Sequence, residues 1–225
     1  MIKVENIETF GLYGAMRGMR NPLNSWDKAD TTVYQGHDKE FVNIGVNDLN
    51  LATRLIKAGT EHRKFLRMIH VQMDVTAPLY WWKEADTYKV GTTANSCSTM
   101  HKIAAKEFTL DDFSHDHLFN DAVVYNGYVP TFVLECVIGA LNEFRNLYLE
   151  TKDKRYWWQM IQLLPSSYNQ RRTWDMSMET LLSILHQRKN HKLDEWNEFR
   201  DICLEQVPYL KEFYEASLKE TTNEN

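Results

Sequence analysis

The sequence predicts an α+β fold in which helix dominates, and three observations carry that prediction. The stretch "FLRMIHVQMDVTA" alternates through Ile69, Val71, Met73 and Val75, the period of a half-buried strand. "PTFVLECVIGALNEFRNLYLE" instead sets Leu134, Val137, Ile138, Leu141 and Phe144 on one helical face. Beyond it, helical periodicity recurs in segment after segment, with no repeat period and no long linker. One domain over residues 1–225 is therefore expected, with a frayed tail at 219–225.

Taken in order, "MIKVENIETF" alternates as a strand, and "LYGAMRGMRNP" reads as a short helix stopped by Pro22. "GVNDLNLATRLIKAG" offers Asn47 as a cap, apolar residues at Leu49, Ala52, Leu55 and Ile56, and Gly59 as terminator, which predicts an amphipathic helix. After the strand at 69–75, Pro78 suits the first turn of a helix over "PLYWWKEADTYK". The stretch from Pro130 predicts a long, largely buried helix. "DKRYWWQMIQLLP" predicts another, ended by Pro165, and "METLLSILHQR", "LDEWNEFRDICLEQ" and "YLKEFYEASLKE" complete a helical second half.

A chain of 225 residues that is 43% hydrophobic and 25% charged can bury a core without disulfides or structural metal. Its net charge of -5 excludes a protein that coats nucleic-acid backbone, which needs a basic surplus. Three cysteines, Cys97, Cys136 and Cys203, are odd in number and share no C-x-x-C spacing, so free thiols in a reducing compartment are expected. The amino terminus lacks a long apolar core and no run reaches membrane-spanning length; a cytoplasmic protein is the expectation.

The chemistry concentrates in "TYKVGTTANSCSTMHK", a run of Gly, Thr, Ser and Asn directly behind the aromatic helix. Such residues offer backbone N–H groups, hydroxyls and amides while blocking little space, so a loop of them can wrap a phosphate or a flat heterocycle. A solvated connection whose hydroxyls satisfy local backbone accounts for the same composition.

In sequence order, "VTAPLYWWKEADTYKVGTTANSCSTMHK" resembles one element of the flavin-dependent thymidylate synthases, the ThyX family, in which a strand and an aromatic helix lead into R-H-R-x-x-S-x-N-E-x-S-x-R. That signature would fall on residues 87–99, where only Lys89 and Thr92 are conservative matches. Two more stretches carry the resemblance. "AMRGMRNP" is similar to the early A-x-R-x-x-R helix, with Arg17 and Arg20 in the matching places. "LLPSSYNQRRTWDMSMETLLSILHQRKNHKLDEW" resembles the L-P-x-x-x-x-x-R … R-x-D-x-H-x-Q-W region, with Arg171 and Arg188 in register and His191 and Trp196 one residue out.

The resemblance implies a helix-rich fold with a small, mainly antiparallel sheet. It also implies an enzyme that transfers a one-carbon unit to carbon 5 of dUMP or a related pyrimidine nucleotide. Methylenetetrahydrofolate and NADPH would be co-substrates, FAD the cofactor, and a homotetramer the assembly. On this basis Arg171 and Arg188 would hold the nucleotide, because a guanidinium matches phosphate oxygens bidentately; Arg17 and Arg20 are secondary candidates. Glu84 and Ser98 would stand near the substrate. Thr87, Tyr88, Lys89, Thr92 and Asn95 would line the flavin, together with Ser177 and Ser183 where the family has Asn, and with Glu179 where it has Arg. Cys97 falls on the second signature serine; a thiolate there would be placed to add to carbon 6 of uracil and make a flavin hydride step unnecessary. The alternative is a nucleotide-binding or interaction protein on the same fold that has lost FAD.

Other constellations are weaker. "SHDHLF" sets His115 and His117 beside Asp112 and Asp116, but a metal needs a third convergent ligand, and Asp as a helix cap explains the residues more simply. "HRKFLR", from His62 to Arg67, is basic and suits either a phosphate or solvent. Of each pair Trp81–Trp82 and Trp157–Trp158, one ring is expected in the core and one at an interface.

Overall fold

The structure is a computed structural model that describes residues 2–36, 40–120 and 127–218; the tail expected to fray at 219–225 lies outside them. Its elements run β1 (Lys3–Phe10), α1 (Leu12–Met19), β2 (Thr32–Gln35), β3 (Glu40–Asn43), α2 (Val46–Lys57), β4 (His70–Pro78), α3 (Leu79–Ala85), β5 (Thr92–Ser96), α4 (Thr99–Lys102), α5 (Pro130–Thr151), α6 (Lys154–Leu163), β6 (Asn169–Ser177), α7 (Met178–Gln187), α8 (Asp194–Gln206) and α9 (Leu210–Ser217). This is the helix-rich α+β architecture the sequence predicts. No helix among the described residues is long and apolar enough to cross a membrane.

Four strands form one sheet in the order β1-β4-β6-β5, and β2 pairs with β3 antiparallel from Thr32↔Asn43 to Gln35↔Glu40. The Leu79 N–H donates to the Tyr168 carbonyl and the Met178 N–H to the Ile69 carbonyl, so β4 and β6 run antiparallel. The alternation on β4 is realised in full, with Ile69, Val71, Met73, Val75 and Ala77 all buried. On β6 Trp174 and Met176 are buried while Arg171 and Thr173 face out. Gly11, at φ 82, turns the chain from β1 into α1, where a Cβ would collide with the Met68 carbonyl.

The chain divides into two units. One comprises Met1–Lys3, Val75–Thr87 and Asn95–Arg172; the other comprises Val4–Asp74, Tyr88–Ala94 and Thr173–Asn225. In the first, α5 packs on α6, and Ile103, Phe108, Phe113, Leu134, Ile138, Leu141 and Met160 form the core. Asn142 on α5 clasps the Phe108 backbone at both N–H and carbonyl, each bond 2.8 Å. The expectation of a largely buried α5 is corrected: only Leu134, Ile138 and Leu141 are buried, and Phe132 and Val133 are exposed. The reason is that the buried positions make a single seam, not a surface all round.

In the second unit α2 packs on α9, α8 and α7 also meet α9, and the 3-10 turn Lys64–Met68 packs against α1 and α7. Met16, Ile56, Phe65, Leu66, Leu181, Trp196, Phe199 and Phe213 are buried there. The basic "HRKFLR" is thus no solvated loop, since Phe65 and Leu66 anchor it and Arg63 pairs with Glu179. Asn47 does not cap α2. Its cap residue is Gly45, and the Asp30 carboxylate accepts the Asn47 and Asp48 N–H groups at 2.8 and 2.9 Å, an approach that a Cβ on Gly45 would block.

Candidate functional site

Three residues singled out in the sequence, Cys97, Ser98 and Arg171, line one cavity of about 500 Å³ in the first unit. The polar run that reads as a loop contains strand β5, placed at the sheet edge beside β6. Its threonines are β-branched and suit a strand without needing a core to bury. Cys97 follows directly: its N–H donates to the Arg171 carbonyl at 2.9 Å, and its own carbonyl accepts the Gln170 side-chain amide at 2.8 Å. Ser98 caps the short helix α4, accepting the His101 N–H.

The cavity wall also carries Lys3, Lys102 and Lys106 as cations and Asp111 and Asp112 as acids, with Lys106 paired to Asp112. Thr109 is the cap of the 3-10 turn Leu110–Asp112, and Asp112, expected as a cap, instead stands at its third position and accepts the Thr109 N–H to close a capping box. Burial pushes the Tyr168 phenol above its ordinary range, and the negative charges of Asp112 and Cys97 add to the shift, so Tyr168 remains a neutral donor on the wall. A chain of contacts fixes the Gln170–Cys97 bond from behind. Arg172 Nε donates to Gln170 Oε1 at 3.0 Å, its Nη1 donates to Asp86 at 2.7 Å, and its guanidinium lies 4.3 Å from the Trp82 ring, while Trp82 Nε1 donates to the Gln170 carbonyl. Both Trp81 and Trp82 are buried, so neither stands at an interface of this chain; of Trp157 and Trp158, the first is half-buried and the second exposed. Sequence reasoning missed Lys3, Lys102, Gln170 and Arg172. Only Arg172 had a local signal, the adjacent arginines of "QRRTW".

Glu84 and Thr87 lie in the same unit, where the Thr87 hydroxyl donates to the Glu84 carbonyl at 2.7 Å; Asn95 is exposed on β5. Tyr88, Lys89, Thr92, Ser177, Ser183 and Arg188 belong to the second unit. There Arg188 Nε donates to the Tyr88 hydroxyl at 2.7 Å, and its guanidinium lies 5.2 Å from the Tyr88 ring and 4.9 Å from that of Trp196. Its Nη1 is 3.1 Å from His191 Nε2. This is an aromatic clasp on a cation. Lys89 is exposed.

The positions that the resemblance gives to a flavin are largely engaged with the protein's own groups, backbone and side chain. Thr92 donates to the Tyr88 carbonyl, Ser177 caps α7 at the Thr180 N–H, and Ser183 accepts the Gln187 amide. Glu179 is tied to Arg63 at 2.9 Å. Of this set, taken with Thr87, Lys89 is the cation, and it is exposed; the pyrophosphate of FAD draws on charge-assisted bonds.

No protein-family model matches the sequence, and no curated protein is similar to it in sequence. Solved structures do match. Thymidylate synthase X (ThyX) from Helicobacter pylori with FAD and dUMP is 16% identical, with 97% of this chain and 100% of that chain covered and a TM-score of 0.67. A second structure of the flavin-dependent ThyX from Helicobacter pylori, complexed with FAD and dUMP, is 15% identical over 96% and 98% of the two chains, TM-score 0.63. The UMP/dUMP methylase PolB from Streptomyces cacaoi, bound with 5-Br dUMP, is 14% identical over 96% and 94%, TM-score 0.61. At these identities the likeness establishes a ThyX-like fold for this chain.

Proposed function

We propose that the protein binds dUMP or a close pyrimidine nucleotide and transfers a one-carbon unit to carbon 5 of its base. The observation that carries this reading is the single cavity on which Cys97, Ser98 and Arg171 meet Lys3 and Lys102. Its volume suits a nucleotide, since small-molecule sites span roughly 300–1,000 Å³. The three solved structures above, all with dUMP or a bromo analogue of it, support the choice of ligand class. Arg171 and the two lysines neutralise the phosphate. Ser98 and Tyr168 offer hydroxyls to the base, and the Gln170 amide holds the Cys97 backbone in place.

In this arrangement the exposed Cys97 thiol stands on the cavity wall with the pyrimidine. Thiolate addition at carbon 6 makes carbon 5 the nucleophile toward the methylene carbon of methylenetetrahydrofolate, whose C–N bond breaks as the new C–C bond forms. Loss of the carbon-5 proton then expels the thiolate, and hydride from the released tetrahydrofolate reduces the exocyclic methylene to methyl and leaves dihydrofolate. The residues at the flavin-side positions supply no step of it. NADPH and a homotetramer are the further expectations of the resemblance.

Calorimetry with dUMP tests the binding half. Arg171→Ala is expected to weaken it by about 1.5–3 kcal/mol, the loss typical of a charged hydrogen bond; unchanged affinity would sink the assignment. Release of tritium from 5-tritiated dUMP in the presence of methylenetetrahydrofolate tests the transfer, and Cys97→Ser is expected to abolish it with dUMP binding retained. A second reading, a nucleotide-binding protein without turnover, is favoured by the locally spent hydroxyls of Thr92, Ser177 and Ser183. It predicts dUMP binding with no tritium release and no flavin absorbance after incubation with FAD.

A further inference from the structure

A separate cavity of about 510 Å³ lies wholly within the second unit, between the chain after α1 and the solvent side of α2. Its lining includes Arg20, Lys28 and Arg54, with Ser25, Asn47 and Asn50, and contains no carboxylate among the described residues. For a protein of net charge -5, a cavity whose described wall carries Lys28 and Arg54, besides an Arg20 paired to Asp48, and no acid is an unusual concentration of one sign.

Arg20 is 3% exposed, and most of its guanidinium is committed: Nε donates to Asp48 Oδ1 at 2.5 Å, and Nη1 to the Ser25 carbonyl and hydroxyl. Its Nη2 is buried with no hydrogen-bond partner among the described residues. Asp48 cannot supply one more bond cheaply, because its other oxygen already accepts the Asp30 N–H, the Thr31 N–H and the Thr31 hydroxyl. Neither Lys28 nor Arg54 has an ion-pair partner among the described residues. The start of α2 is not the attraction here, since the Asp30 carboxylate already occupies its first N–H groups.

We infer that this cavity is an anion site that takes a small phosphate ester. A guanidinium, an ammonium and two carboxamides around one cavity match a tetrahedral oxyanion, whereas a neutral ligand would leave both cations without a counter-charge. The volume exceeds that of a bare phosphate, and Leu23 and Leu51 supply an apolar wall for the organic part. Arg20, held by Asp48, is the buried member of the set; Lys28 and Arg54 are its exposed arms.

The test titrates the full chain with inorganic phosphate and with pyrophosphate by calorimetry at low salt, with saturating dUMP present so that the nucleotide cavity is filled. Wild type is expected to show saturable binding at one site per chain. The Lys28→Ala/Arg54→Ala double variant is expected to bind at least tenfold more weakly, and Lys57→Ala, an exposed lysine on the same helix outside the cavity, to bind as wild type. If the double variant does not fold, Arg54→Gln is measured instead and is expected to lose at least threefold. No saturable binding to wild type overturns the inference. So does equal affinity in the cavity variants, or an equal loss in Lys57→Ala.

Discussion

Arg20 and Asp48 show how a single pair of residues can decide the stability of a whole region. Both are almost fully buried, and they meet at 2.5 Å. Burial alone would raise the Asp48 carboxyl, but the bonds from Thr31 and Arg20, joined by the Asp30 and Thr31 N–H groups, outweigh it and hold the acid below its ordinary value of 3.8. The sign follows: a depressed carboxylate stabilises the fold fully above 3.8, and that contribution is lost as pH falls below it through the folded-state value. Asp48→Asn should cost about 3–5 kcal/mol in urea unfolding at neutral pH, because it strands a buried guanidinium. The same variant should flatten the acid limb of the stability curve. An Arg20→Met/Asp48→Asn pair should recover part of the loss, since it removes both charges while the amide oxygen at position 48 still accepts from Asp30 and Thr31. A loss no larger in Asp48→Asn than in a surface Asp→Asn control would contradict this account.

At the scale of elements, α2 separates what local sequence can reveal from what it cannot. Its length and its terminator Gly59 are legible in "GVNDLNLATRLIKAG", because helical periodicity and glycine punctuation act between near neighbours. Its cap is not. Asp30 reaches it from 17 residues upstream, over a glycine whose missing Cβ makes the space. Asp30→Ala should therefore cost about 0.5–2 kcal/mol in thermal or urea unfolding, the usual worth of a cap, while Asn47→Ala should cost little. The reverse order would restore Asn47 as the cap. The same logic explains the rest of the candidate site. Cys97, Ser98 and Arg171 were visible through a motif resemblance; Lys102 and Gln170 lie beside them in the chain but match no position of that motif, whereas Lys3 comes from β1 at the far end of the sheet order. β5 reads as a loop because it has nothing apolar to alternate; it is a strand because β6 offers it backbone partners. Trp81 and Trp82 fill adjacent faces of the same helix, and both faces are covered, which a helical wheel drawn for a single buried stripe does not anticipate.

Across the whole molecule, neither unit is a continuous piece of chain. The path passes between them after Lys3, Asp74, Thr87, Ala94 and Arg172, so the boundary falls within β1, β4, β5 and β6. The buried residues Leu181, Leu182, Leu185, Trp196, Phe199 and Phe213 of the second unit all come from its last segment, and the Ile44 N–H finds its acceptor in the Tyr209 hydroxyl, 165 residues away. A fragment ending at Arg172 should accordingly show no cooperative thermal transition and poorly dispersed amide resonances, even though it keeps every segment of the first unit. A sharp melt from that fragment would mean that the early segments fold without their late partners. Contacts this distant in sequence also favour slow folding. During synthesis, the apolar face of α2 leaves the ribosome long before its partner α9 has been translated. A cell producing this chain must keep that face away from other apolar surfaces for most of the time that translation takes, so chaperone supply joins intrinsic stability among the factors that set its yield.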